Sequence, residues 1–201
     1  MNEKYELTEE FKEIETLREG WLQKIKVYRI RALRAFADVK IGDLGGFVET
    51  KQNLSNMGNA WVYGNARVCD NAWVCGDAWV CGDAKVCNNA RVYGNARVCD
   101  NAKVYGNAEV CGDAKVCDNA NIFWCSSIGS RHATTTMFRN KDNGITVTCG
   151  CFMGTLEEFA ARVEKEHGEN IFGKEYKLLI ELAKIHFGLQ DETKGEEENG
   201  I

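Results

Sequence analysis

The stretch from Ser130 to Lys141 concentrates side chains suited to holding an anion: Ser130, Arg131, Thr134, Thr136, Arg139 and Lys141. Hydroxyl and guanidinium groups together suit phosphate, through charge-assisted and bidentate hydrogen bonds. These six residues are the candidate ligand-binding site. The competing use of Arg131 and Arg139 is pairing with acids of a following helix, Glu157 or Glu158. Catalytic groups are scarcer. His167 and His186 fall near the ends of expected helices, where the helix dipole favours partial positive charge. His132 is then the one histidine placed to act as a base, and no catalytic residue is assigned.

Ten cysteines raise the question of crosslinks or metals. Seven of them, Cys69, Cys75, Cys81, Cys87, Cys99, Cys111 and Cys117, recur at one position of a short repeat, which Tyr63, Tyr93, Tyr105 and Phe123 fill elsewhere. A position that accepts all three residue types wants a moderately apolar side chain, so the thiols are expected to be reduced and packed. Cys149-Gly-Cys151 is a single pair with no partner pair at metal-ligand spacing. No metal and no cofactor are expected.

The repeat that must position these groups is Ala-x-Val-(Cys/Tyr)-(Gly/Asp/Asn)-(Asn/Asp). Valine recurs at 62, 68, 74, 80, 86, 92, 98, 104, 110 and 116, and isoleucine extends the series at 122 and 128. Alanine stands two places ahead, from Ala60 to Ala120, with Ser126 as a small substitute. Residues two apart on a strand point the same way, so Ala and Val line one face. The closing Gly, Asn or Asp tolerates left-handed backbone at least cost, as a sharp corner requires. Strands this short cannot pair as hairpins; they must coil, each pairing with the next coil.

This pattern resembles the hexapeptide repeat of left-handed parallel β-helices. The resemblance implies a triangular prism with three units per coil and about four coils across residues 60–130, lined by valine and alanine. The flanking strings YRIRALRAF, GDLGGFVE and NLS before the repeats, and IGSR, FR and CGCFMGTLEEF after them, resemble a group of uncharacterised phage and prophage hexapeptide proteins. That likeness spans nearly the whole chain and implies an accessory protein of a virus or mobile element. It brings no activity with it.

Residues 1–59 form the N-terminal cap and a first, irregular coil. A helical pattern over 5–20 ends at Gly20, and an alternating strand pattern runs over 24–36. Residues 131–190 form the closing cap. There ATTTMFRN and ITVTCGCF flank the Asn143-Gly144 turn of a hairpin. Thr155 and Glu158 form a capping box for a helix carrying Leu156, Phe159, Ala160 and Val163 on one face and stopping at Gly168. A second helix runs from about Lys174 to Phe187, and residues 191–201 are too polar to order. The expected architecture is mainly β: a left-handed parallel β-helix with an N-terminal α/β cap and a C-terminal cap of a hairpin and two helices.

With three units per coil, the outward residues stack in ladders. One holds Trp61, Trp79, Arg97 and Lys115; a second Arg67, Lys85, Lys103 and Asn121; the third Trp73, Arg91, Glu109 and Ser127. Outward tryptophans of roughly 150–250 Å² each exceed the apolar patch a soluble monomer usually presents. Trp61, Trp73, Trp79, Tyr63 and Tyr93 are therefore the expected oligomer interface, in a homotrimer of the kind hexapeptide proteins commonly form. Coverage by the N-terminal segment is the alternative. Basic rungs about 4.8 Å apart repel by roughly 0.8 kcal/mol per pair even at water's dielectric, which an anion, or splaying into solvent, relieves.

A net charge of −5 and a pI near 5.4 disfavour nucleic acid as a partner. No apolar run is long enough to span a bilayer and no signal peptide stands out, which points to a cytoplasmic protein, by the resemblance in a bacterial host. The expected function is non-catalytic binding of a small anionic ligand, such as a nucleotide, or of a host defence protein. Counter-defence, by sequestering a nucleotide immune signal or blocking a defence protein, is drawn from the phage resemblance alone. The alternatives are a structural or virion spacer, and a hexapeptide acyltransferase with His132 as base; the repeats lack the long loop that builds such active sites.

Overall fold

The computed structural model describes residues 3–18, 20–117 and 121–189. The chain opens with a long hairpin of β1 (Tyr5–Arg18) and β2 (Trp21–Ala32), paired antiparallel from Tyr5↔Ala32 to Arg18↔Trp21. This corrects the helix expected over 5–20, and with it the α/β character of the N-terminal cap. Tyr5, Leu7, Phe11, Ile14 and Leu17 are spaced as on a helix. The alternating β2, however, requires an antiparallel partner along its whole length, and that tertiary demand overrides local propensity. Gly20, at φ 82°, stands in the turn that closes the hairpin.

β2 pairs antiparallel with β3 (Leu44–Val48), the irregular first coil. Ten two-residue strands then follow at six-residue steps, and they stack in parallel sheets. One contains β4 (Trp61–Val62), β7 (Trp79–Val80), β10 (Arg97–Val98) and β13 (Lys115–Val116). A second continues β3 through β5 (Arg67–Val68), β8 (Lys85–Val86) and β11 (Lys103–Val104), and the third holds β6 (Trp73–Val74), β9 (Arg91–Val92) and β12 (Glu109–Val110). The molecule is thus a parallel β-solenoid, with Val62, Val80, Val98 and Val116 in register on successive coils. Every valine of the series from Val62 to Val116, and every alanine from Ala60 to Ala114, is at most 2% exposed. Each such valine contributes roughly 1.5–3 kcal/mol by leaving water.

Ile122 still packs in the solenoid core, but neither isoleucine that extends the six-residue series extends the parallel sheets. Ile122 and Ile128 belong to β14 (Ile122–Ile128), which runs antiparallel to β15 (Ala133–Arg139). β16 (Ile145–Cys149) and β17 (Phe152–Thr155) complete a separate antiparallel sheet. Helices α1 (Leu156–His167) and α2 (Ile171–His186) follow it. The Thr155 hydroxyl accepts from the Glu158 N–H at 3.2 Å, and the Glu158 carboxylate accepts from the Thr155 N–H at 2.9 Å, forming the expected capping box. Met137, Val147, Leu156, Phe159, Val163, Tyr176 and Leu179 make the cap core. The polar tail at 191–201 lies outside the described residues. Among those described, no helix is long and apolar enough to cross a membrane.

Candidate functional site

The cap sheet disperses the six residues expected to gather around an anion. Ser130 and Arg131 stay together in a pocket of about 160 Å³, with Arg162, Glu166, His167 and Tyr176. Thr134 turns to Ser126, the hydroxyl oxygens 2.9 Å apart. Thr136 is 1% exposed, and its Oγ1 accepts from the Glu109 N–H at 3.1 Å, ending a solenoid sheet. Arg139 donates to the Phe187 carbonyl at 2.6 Å and the Asn143 carbonyl at 3.1 Å, while Lys141 pairs with Asp113 at 3.1 Å. The cause is strand geometry: β15 rises about 3.3 Å per residue, so Thr134 and Arg139 stand roughly 16 Å apart along it, and Arg139 leaves the face opposite to that of Thr134 and Thr136. Arg139 binds helix-end and turn carbonyls and so makes neither an anion site nor the competing ion pair with Glu157 or Glu158, and Glu158 is committed to its capping box.

A larger concavity than the cap pocket lies on the basic face. Glu13, Ile14, Glu15, Thr16 and Leu17 of β1 stand across from Arg67, Lys85, Cys69, Cys87, Asn88 and Tyr105, enclosing a groove of about 470 Å³. Arg67 and Lys85 stack in register on β5 and β8 as the ladder predicts. Neither forms an ion pair among the described residues, and the Arg67 Nε is buried without a hydrogen-bond partner. On the opposite wall Glu13 and Glu15 also line the groove, and they stand across the hairpin ladder from Lys26 and Lys24. The Cys69 thiol is pushed well up, by its hydrogen bond to Cys87 first and then by burial. Burial, then the Cys87 and Cys69 neighbours, push the Tyr105 hydroxyl up to about 12. Near neutral pH the formal charge of the solenoid wall is therefore that of Arg67 and Lys85. Arg18 pins the hairpin near the groove, its Nε 2.6 Å from Asp70 and its Nη2 2.5 Å from Glu49. The sequence identified the basic ladder but not the groove, because the segment that supplies its second wall reads as a helix.

The expected oligomer interface is also redistributed. Trp61 is fully buried, with Phe36 and Tyr5 packed edge-on at 5.3 and 6.1 Å between ring centroids. The N-terminal segment covers it, which removes Trp61 from the outward patch. Trp79 is half-buried against Tyr63 at 5.2 Å, with the Arg97 guanidinium 5.3 Å from its ring. Tyr93 is half-buried, and Trp73 stays 43% exposed. Other large uncovered apolar side chains lie at the hairpin tip (Leu17, Trp21, Leu22) and on α2 (Ile171, Leu178, Ile185). His132 is exposed at φ 48°, His186 packs on Phe123, and His167 packs on Tyr176.

Residues 60–76 and 84–100 match the family model described as the YdcK beta solenoid repeat. A search among curated proteins finds no match to the chain. The matched stretches carry Trp61, Arg67, Trp73 and Lys85, so the comparison agrees with the solenoid and stops short of the hairpin wall and the closing cap.

Proposed function

We propose that this is a non-catalytic binding protein whose hairpin groove takes a small anionic ligand of nucleotide size. The observation that carries this reading is the pair Arg67 and Lys85, two cations without ion-pair partners among the described residues, on the wall of a groove of about 470 Å³. Sites for drug-sized ligands span about 300–1,000 Å³. The groove falls inside that range, and the cap pocket with Ser130 and Arg131 falls below it at about 160 Å³. A phosphate would meet the guanidinium and ammonium through charge-assisted bonds, and a ring would meet the apolar Ile14 and Tyr105.

The phage-like flanking strings support an accessory protein of a phage or mobile element, sequestering a nucleotide immune signal in the host cytoplasm. Blocking a defence protein and acting as a virion spacer are the competing roles. Trp73, Trp79, Tyr63 and Tyr93 support self-association as a trimer, over a smaller area than one that included Trp61. Calorimetry with ADP-ribose and cyclic dinucleotides tests the ligand reading. Binding heat with at least one of them is expected, with affinity falling tenfold or more in Arg67→Ala and in Lys85→Ala and holding in Arg131→Ala. No heat from any of these ligands would remove it. The acyltransferase alternative predicts instead that acetyl-coenzyme A binds and that His132→Ala abolishes binding.

A further inference from the structure

We propose that Cys99, Asp100 and Cys117 form a binding site for a thiophilic divalent cation of the zinc class. Cys99 and Cys117 hold the same repeat position on successive coils, with their Sγ atoms 2.8 Å apart. The Asp100 carboxylate lies with both sulfurs inside a mutual 4.8 Å. Asp100 stands at φ 54°, and the same corner one coil earlier is Gly82 at φ 68°. A carboxylate is therefore presented at a corner where glycine adopts the backbone at less cost.

Two thiolates and one carboxylate are a three-donor set of the kind zinc takes, with the fourth position left for water or a ligand. Sulfurs each about 2.3 Å from a tetrahedral ion stand roughly 3.8 Å apart, so the pair opens by about 1 Å, which rotation of a cysteine side chain provides. Each thiol releases its proton as the ion binds, and the three anionic donors leave the loaded site at one negative charge. Cys81 holds the same repeat position one coil earlier.

A second triad in the same chain serves as an internal comparison. Cys69, Asp70 and Cys87 repeat the arrangement, again with sulfurs 2.8 Å apart and all donors within 4.8 Å. There a cation is already supplied by the protein: the Arg18 Nε sits 2.6 Å from the Asp70 carboxylate, whose other oxygen accepts from the Asn88 N–H at 3.0 Å. Its thiols are also closed off, at 0% and 8% exposure. No described cationic side chain forms an ion pair with Asp100, Cys99 and Cys117 are half-buried, and Asp100 is exposed. One triad is neutralised by a guanidinium, and its counterpart is open to an ion from solution. The site lies on a different sheet from the groove and does not rest on the ligand-binding reading.

The test titrates fully reduced, full-length protein with Zn²⁺ by calorimetry and with Cd²⁺ by thiolate-to-metal absorbance. The expected result is saturable binding that weakens tenfold or more in Cys99→Ser and in Cys117→Ser, weakens several-fold in Asp100→Asn, and is unchanged in Cys69→Ser and Cys151→Ser. Asp100→Asn alters an exposed side chain and leaves the core intact, so it reads the site even if a serine variant fails to fold. Absent binding, or affinity that survives both serine substitutions or Asp100→Asn, would overturn the proposal. So would a Cys99–Cys117 disulfide found by peptide mapping of freshly purified protein.

Discussion

The two ends of the solenoid are closed by different means. At the first end β3 extends a solenoid sheet and β2 and β1 extend β3, so six strands from β1 to β11 share one hydrogen-bonded sheet. Tyr5, Ile30, Ala32 and Val39 belong to the same core as the solenoid valines. At the other end the sheet of β14 to β17 is separate and has its own core. It meets the last coil through Thr136 and Thr148, whose hydroxyls bond the two backbone groups of Glu109, and through Phe138, which enters the solenoid core. A row of unpaired strand groups can be ended by adding strands or by laying a lid across it. Added strands share the solenoid's stability, whereas a lid with its own core is a unit that can open by itself.

The sharpest way to break this contrast is a matched pair of truncations. Trp61→Ala and Phe159→Ala each remove a buried aromatic and each should cost about 3–5 kcal/mol. For Trp61→Ala, hydrogen exchange should lose protection in β1, β2 and the solenoid strands together. For Phe159→Ala the loss should stay in α1, α2 and β14 to β17. Equal loss of protection in the solenoid strands for both variants would mean that the two ends are coupled alike.

Next in size is the buried ammonium of Lys4, which donates to the Ala60 carbonyl at 2.9 Å beneath the N-terminal segment. Burial, with help from Arg34, lowers its pKa to about 8. Between about pH 8 and 10.5 the unfolded chain keeps a proton that the folded chain gives up, so this group's contribution rises with pH across that window. Denaturant midpoints of the native protein and of Lys4→Met should converge as pH climbs, by about 3 kcal/mol at most. The difference between the two curves isolates Lys4 from thiols that titrate nearby; parallel curves would refute the assignment.

The smallest effect expected is for Arg18→Ala. Its pairing with Glu49 and Asp70 is partly solvated, and its loss should cost about 1 kcal/mol. Amide exchange should quicken at the hairpin tip and leave the cap untouched. An effect reaching α1 or α2 would show that the hairpin communicates with the far end.

How far these features can be read from residues alone follows from their range in sequence. The coil period, the interior Val and Ala, the corners at Asp70, Asn88 and Asp100, the capping box of Thr155 and Glu158, and the Asn143-Gly144 turn are each decided by neighbours within a few positions. They are legible for that reason. β1 reads as a helix because its glutamates and leucines favour helix locally, and only pairing with β2 decides otherwise. The anion cluster disperses for the complementary reason: Thr134, Thr136 and Arg139 are near in sequence, but an extended strand spaces them along its length and turns Arg139 to the opposite face. Ile122 and Ile128 keep the six-residue step although the chain has already left the coil. Ile122 still fills the solenoid core, so the spacing records burial and not the pairing of the strand. The groove and the cysteine triads were hidden because their members come from different strands or successive coils, and no short spacing marks them.

One edge of the prism is bare. Gly58, Gly76, Gly94 and Gly112 form a column in which an added Cβ at Gly58, Gly76 or Gly94 would come within 2.5 to 3.0 Å of the backbone of the next coil. Another corner column carries Asp70, Asn88 and Gly106 in the same left-handed backbone. Inserting one six-residue unit would move every later residue around by one edge and set such side chains into the glycine column. Inserting three units would leave all columns aligned. Growth or shrinkage of this rod is thus least costly in whole turns.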